Sequence, residues 1–109
     1  MTIHIQKIHE NARIPSFAHT YDAGADVYAV SDVEVAPHTT VIVPTGLKMA
    51  IPNNWKVSVR PRSGMSAKTN IRIANAPGTI DAGYLDEVGI IVTNIGEESY
   101  MIHAGDRIA

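Results

Sequence analysis

Three stretches of the chain alternate apolar and polar positions: Val33-Glu34-Val35, Leu47-Lys48-Met49-Ala50-Ile51 and Trp55-Lys56-Val57-Ser58-Val59-Arg60. A period of two sends successive side chains to opposite faces of a pleated strand, so each stretch predicts a strand with one face inward and one toward water. Two further runs, Thr40-Val41-Ile42-Val43 and Val88-Gly89-Ile90-Ile91-Val92-Thr93, are almost continuously apolar and predict core strands covered on both faces. Turn-forming residues punctuate the series at Pro37-His38, Pro44-Thr45-Gly46, Pro52-Asn53-Asn54, Ala76-Pro77-Gly78, Asn94-Ile95-Gly96 and Ala104-Gly105-Asp106. Their spacing of about 8 to 12 residues is that of sandwiches and barrels. One segment, Met65-Ser66-Ala67-Lys68-Thr69-Asn70 after Ser63-Gly64, suits a helix of a turn or two.

Composition agrees with this all-β reading. Fourteen Ile and ten Val stand against two Leu, and β-branched side chains suit strands better than helices. A length of 109 residues fits one modest domain spanning 1–109, and no linker, repeat or low-complexity tract divides it. Hydrophobic residues at 45%, charged residues at 18% and a mean hydropathy of +0.00 exclude a disordered tail and a membrane protein. A formal charge of −2 and a pI near 6.2 provide no basic field, so nucleic acid is not an expected partner. With no cysteine there is no disulfide, thiolate metal site or cysteine nucleophile. The start, Met1-Thr2-Ile3-His4-Ile5-Gln6-Lys7, lacks the basic and apolar regions of a signal peptide and predicts a cytoplasmic location. The five histidines fall in separate segments without the pairing of zinc ligands, and Trp55 and Phe17 read as packing residues.

Three segments offer chemistry beyond a scaffold. Arg60-Pro61-Arg62-Ser63-Gly64 sets two guanidinium groups, a hydroxyl and a glycine at the end of a strand, a combination that can hold phosphate oxygens or simply form a solvated turn capped by Ser63. Asn75-Ala76-Pro77-Gly78-Thr79-Ile80-Asp81-Ala82-Gly83-Tyr84 carries an acid able to orient water, and equally suits an Asx-type turn followed by a strand tyrosine. Ala23-Gly24-Ala25-Asp26-Val27-Tyr28-Ala29 surrounds one acid with small residues, which a strand bulged at Gly24 also explains.

Taken in order, these segments resemble the trimeric dUTP diphosphatases, or dUTPases. Ala23 to Ala29 resembles the family's first motif, Pro61-Arg62-Ser63-Gly64 its second, Gly78-Thr79-Ile80-Asp81-Ala82-Gly83-Tyr84 its third, and Gly105-Asp106-Arg107-Ile108-Ala109 the opening of its fourth. Four weak matches in sequence on an all-β chain are together specific. The resemblance implies a jelly-roll-like β-barrel with at most one short helix, assembled as a homotrimer. It also implies hydrolysis of dUTP to dUMP and pyrophosphate, with water attacking the α-phosphorus and Mg2+ bridging the triphosphate. In that scheme Asp81 orients and deprotonates the water, Arg62, Ser63 and Gly64 hold substrate phosphates, and Arg107 also contacts the substrate. Asp26 meets the metal through a water. Tyr84 packs against the deoxyribose and excludes a 2′-hydroxyl, while the turn from Asn75 through Gly78 and Thr79 to Ile80 reads uracil with amide and main-chain groups.

Two departures qualify the resemblance. Asp86 stands where the family usually has glycine two residues after the motif tyrosine. The 109 residues stop at Ala109, inside the fourth motif, so the resemblance implies a domain lacking the family's C-terminal arm, with nucleotide binding but slow turnover. The competing readings are a dCTP deaminase-like enzyme of the same fold, which matches less well at the third motif, and a non-catalytic nucleotide-binding or interaction module.

Overall fold

The computed structural model describes all 109 residues. Eight strands and one helix follow one another as β1 (His4–Lys7), β2 (Val33–Val35), β3 (Thr40–Ala50), β4 (Lys56–Val59), α1 (Ser63–Lys68), β5 (Ile71–Ile73), β6 (Gly78–Asp81), β7 (Glu87–Asn94) and β8 (Tyr100–Ile102). All pairings are antiparallel and form three separate sheets, ordered β1-β3-β7-β5, β2-β8 and β4-β6. The all-β class holds, but the hydrogen-bonded ladders do not close into a barrel. No helix is long and apolar enough to cross a membrane.

The long β3–β7 ladder is the spine of the core. Val43, Leu47, Ile90 and Val92 point inward from it and meet Val35, Ile71 and Ile102 from other strands and Ile108 from the C-terminal segment, all essentially inaccessible to water. Full burial of an aliphatic side chain of this size contributes roughly 1.5–3 kcal/mol. The expectation that Thr40–Val43 and Val88–Thr93 are covered on both faces is corrected here. Both alternate: Ile42 is 65% exposed while its neighbour Val43 is 0% exposed, and every second residue of β7 is only half-buried. Nothing in a single chain packs over the outer face, so apolar residues there stay accessible.

Pro44-Thr45-Gly46 is not a turn between strands but an irregularity within β3, where the register shifts between Pro44 and Lys48. Gly46 takes a φ of +69°, which relieves the steric cost that an L side chain meets in the left-handed region. The bulge therefore lies here rather than at Gly24, whose segment contributes only isolated bridges, Ser16 with Asp26 and Tyr28 with Arg107. At the other end of β7, buried Asn94 closes the chain reversal: its Nδ2 donates to Val35 O (2.9 Å) and Glu98 O (2.8 Å), and its Oδ1 accepts from Gly96 N (2.9 Å). Helix α1 begins at Ser63, two residues earlier than expected, with Arg62 at the N-cap position and no side-chain cap, so Ser63 is not the capping residue. Trp55 and Phe17 are 55% and 61% exposed and do not pack in the core.

Candidate active site

Backbone pairing between residues 27–29 and the C-terminal segment brings the first and fourth motifs together. Val27 N donates to Ala109 O (3.0 Å), Ala29 N to Asp106 O (2.9 Å) and Ile108 N to Val27 O (2.8 Å). Buried Ile108 anchors this edge in the core, which leaves its neighbour Arg107 facing outward. The second motif arrives from β4: the chain leaves the ladder at Val59, passes Pro61 and turns into α1, with Arg62 at the junction.

The three motifs meet at one carboxylate. Asp26 Oδ1 accepts from Arg62 Nε at 3.2 Å and Asp26 Oδ2 lies 3.6 Å from Arg107 Nη1. The Asp26 side chain is 19% exposed, so it faces the guanidinium groups more than solvent. Beside it opens a cleft of about 390 Å³ lined by Arg62, Gly64, Lys68, Thr69, Tyr100 and Arg107, among others. Two guanidiniums and an ammonium, against the single Asp106 carboxylate, around a largely polar hollow suit an oxyanion-rich ligand, because forked N–H donors match phosphate oxygens and the net positive charge offsets that of the ligand. Gly64 adds no side chain, and the space its Cβ would occupy is open.

The third motif lies elsewhere on the same chain. In the β4–β6 ladder Val59 stands opposite Gly78 and Lys56 opposite Asp81. Arg62 follows the Val59 end, whereas Asp81 occupies the far end, three strand residues or roughly 10 Å further along. Asp81 is exposed, and its main-chain oxygen accepts from Tyr84 N at 3.0 Å, which closes a tight turn. Tyr84 is 45% exposed, and its hydroxyl donates to Glu87 O at 2.7 Å, so this tyrosine belongs to the turn before β7 and not to a strand. Asn75 sits over Gly78, where a Cβ would come within 3.2 Å of Asn75 Nδ2. Thr79 is exposed, whereas the Ile80 side chain is buried in the core and leaves only its main chain for recognition.

The structure thus gathers Asp26, Arg62, Gly64 and Arg107, and separately Asn75, Gly78, Thr79, Asp81 and Tyr84. Ser63 is exposed at the start of α1. Sequence reasoning missed Lys68, Thr69 and Tyr100 as cleft residues. Lys68 stands in the last turn of α1, and Tyr100 on β8 reaches the cleft because that strand runs directly into the Gly105–Arg107 segment.

No group of three or more His, Cys, Asp or Glu side chains forms a protein-only metal cage. Asp26, held by both arginines, is the carboxylate central to the motif cluster. This donor set fits a hydrated divalent cation carried mainly by ligand phosphates and contacted through water, the usual habit of Mg2+.

A dUTPase family model matches residues 10–109. The deoxyuridine 5′-triphosphate nucleotidohydrolase of Solibacter usitatus is 49% identical over 111 residues, covering 100% of this chain and 76% of that protein. Its counterpart in Picosynechococcus sp. is 41% identical, covering 100% of this chain and 77% of the relative. Among solved structures, a mutant dUTPase from phage phi11 of S. aureus, described with a coordinated structural Mg(II) ion, superposes with a TM-score of 0.92 at 28% identity, covering 100% of this chain and 87% of that one. A mutant dUTPase of Staphylococcus bacteriophage 80alpha with dUpNHpp superposes with a TM-score of 0.92 at 29% identity, covering 99% and 79%.

Proposed function

The chain belongs to the dUTPase family, and from that membership and the site geometry we propose that it hydrolyses dUTP to dUMP and pyrophosphate. The observation that carries this reading is the convergence of Arg62 and Arg107, from separate motifs, on Asp26 beside a cleft that also holds Lys68. Arg62, Lys68 and Arg107 bind the triphosphate; Asp26 holds Arg62 through Nε, leaving its two terminal nitrogens for the ligand, and draws Arg107 toward the same cleft. Ser63 and Gly64 line the approach with a hydroxyl and an unobstructed backbone. Mg2+ would supply further neutralisation of the phosphates, with Asp26 the residue that would hold it through water.

Asp81 accepts the proton of the attacking water. The water oxygen bonds to the α-phosphorus, the bond from that phosphorus to the bridging oxygen breaks, and pyrophosphate departs. Most of the barrier reduction in such a step comes from placing the water and offsetting spreading charge. Tyr84 stacks its ring on the deoxyribose, and Asn75, with the main chain from Gly78 to Ile80, reads uracil.

A single copy keeps Asp81 at the far end of the β4–β6 ladder from Arg62. The active assembly is a homotrimer in which the cleft of one copy meets the Asp81–Tyr84 turn of another. Exposed Ile42, Phe17, Trp55 and Leu85 supply apolar surface for association. The test is an assay of purified protein with Mg2+ and dUTP, UTP or dCTP, reading pyrophosphate and ammonia. Pyrophosphate from dUTP in preference to UTP supports the proposal; ammonia from dCTP supports a deaminase, and binding without product supports a non-catalytic module.

A further inference from the structure

The irregular stretch of β3 is tied to the turn that carries Tyr84. Pairing passes from Pro44 opposite Gly89 to Lys48 opposite Glu87, so four steps on β3 face two on β7. Thr45, Gly46 and Leu47 lack partners on β7, although Leu47 pairs with Lys7 of β1, and side chains take up the N–H groups of Gly46 and Leu47. Thr45 is 1% exposed; its Oγ1 donates to Val88 O at 2.6 Å and accepts from Leu47 N at 3.3 Å. Gly46 N donates to Glu87 Oε2 at 2.9 Å, and Gly46 O accepts from Ile8 N at 2.8 Å. The Glu87 carboxylate is thereby held by backbone at the centre of the sheet.

The main chain of Glu87 faces the other way in function. Its carbonyl accepts the Tyr84 hydroxyl at 2.7 Å, and Tyr84 N donates to Asp81 O at 3.0 Å. Glu87 therefore joins two ties, its side chain to the Gly46 bulge and its main-chain carbonyl to the Tyr84 hydroxyl, and Tyr84 N continues to Asp81 O. Because Tyr84 as a residue is 45% exposed, packing constrains its ring only on one side, and the hydroxyl bond to Glu87 O adds a directional tie. Rejecting one extra oxygen on a sugar requires a ring held to a fraction of an ångström.

We propose that Glu87 is a positioning residue for sugar selection, transmitting the rigidity of the β3 bulge to the Tyr84 ring. This rests on the reading of Tyr84 as the group that excludes the 2′-hydroxyl. Losing one such hydrogen bond lowers the preference for the deoxyribose by about fivefold.

The test compares affinities for dUpNHpp and its ribose counterpart in the wild-type protein, Glu87→Gln, Glu87→Ala, Tyr84→Phe and the Glu87→Ala/Tyr84→Phe double variant, with thermal midpoints recorded alongside. Tyr84→Ala serves as the control for the underlying reading. Glu87→Gln keeps an acceptor for Gly46 N and retains the preference. Glu87→Ala and Tyr84→Phe each reduce it about fivefold, and the double variant is no worse than either single one, because both break the same linkage through Glu87. A merely structural Glu87 lowers the midpoint and leaves the preference intact. If Glu87→Ala stays within about twofold of wild type while Tyr84→Ala loses the preference, the positioning role is overturned and the Tyr84 reading stands. Should Glu87→Ala not fold, Glu87→Asp takes its place, since a side chain one methylene shorter draws the carboxylate away from Gly46 N; full preference there overturns the proposal. Full preference in Tyr84→Ala removes the underlying reading and the positioning role with it.

Discussion

Replacing Gly46 by alanine should destabilise the fold far more than an ordinary glycine substitution. Gly46 has a φ of +69°, and placing an L residue in the left-handed region costs roughly 1–2 kcal/mol. The added methyl would also lie 2.9 Å from Ala12 Cβ, 3.0 Å from His9 Cβ and 3.1 Å from Val30 Cγ2. Ala12 and Val30 are 3% and 6% exposed, so neither can retreat into solvent, and overpacking of this kind costs roughly 1–3 kcal/mol. The two contributions give roughly 2–5 kcal/mol, or a fall in Tm of about 8–20 °C at about 4 °C per kcal/mol for a domain near 100 residues. The control is Gly24→Ala, where no atom lies within 4 Å of the added methyl and φ is not positive. Circular dichroism melts of both variants at equal protein concentration, which removes any effect of chain association, make the comparison. A Gly46→Ala midpoint within about 2 °C of Gly24→Ala would refute the account of the bulge.

Further outcomes follow from the site. Asp81→Asn should lower pyrophosphate release from dUTP by about a hundred- to ten-thousandfold. Its dUpNHpp affinity should stay near wild type, because the main-chain bond from Tyr84 N to Asp81 O survives; unchanged turnover at saturating substrate would remove Asp81 as the base. Co-expressing Asp81→Asn with Arg62→Ala should restore roughly a quarter of wild-type activity if each site combines a cleft from one copy with the Asp81 turn of another. No activity above that of the separate variants would place both in one copy. Arg107→Ala should weaken dUpNHpp binding by roughly tenfold or more and flatten its dependence on salt, with little change in Tm because its side chain is half exposed. Titration at two ionic strengths checks this.

Much of the scaffold is legible from local rules. Alternation at Lys56–Val59 and Val33–Val35, and the bias toward Ile and Val, announce strands because pleating and χ1 sterics act between near neighbours. The four motifs are legible as well, since their residue types and order are properties of the chain itself. Strand β8, Tyr100-Met101-Ile102, carries no polar–apolar alternation to be read, and it forms because β2 supplies its ladder partner.

The sequence by itself determined that this is an all-β chain bearing, in order, the four segments that mark a dUTPase. Only the tertiary structure decided how those segments combine. Whether Ile42 is covered depends on what lies across the sheet, and turn-forming Pro44-Thr45-Gly46 stays inside β3 because Glu87, 41 residues from Gly46, completes its hydrogen bonding. Asp26 meets Arg62 across 36 residues, Lys68 and Tyr100 join the cleft unannounced, and Asp81 ends at the opposite end of its ladder. The physical reason is range: local sterics and periodicity act within a few residues, whereas burial, ion pairing and the fate of an unpaired N–H are settled by whichever distant segment folding brings alongside.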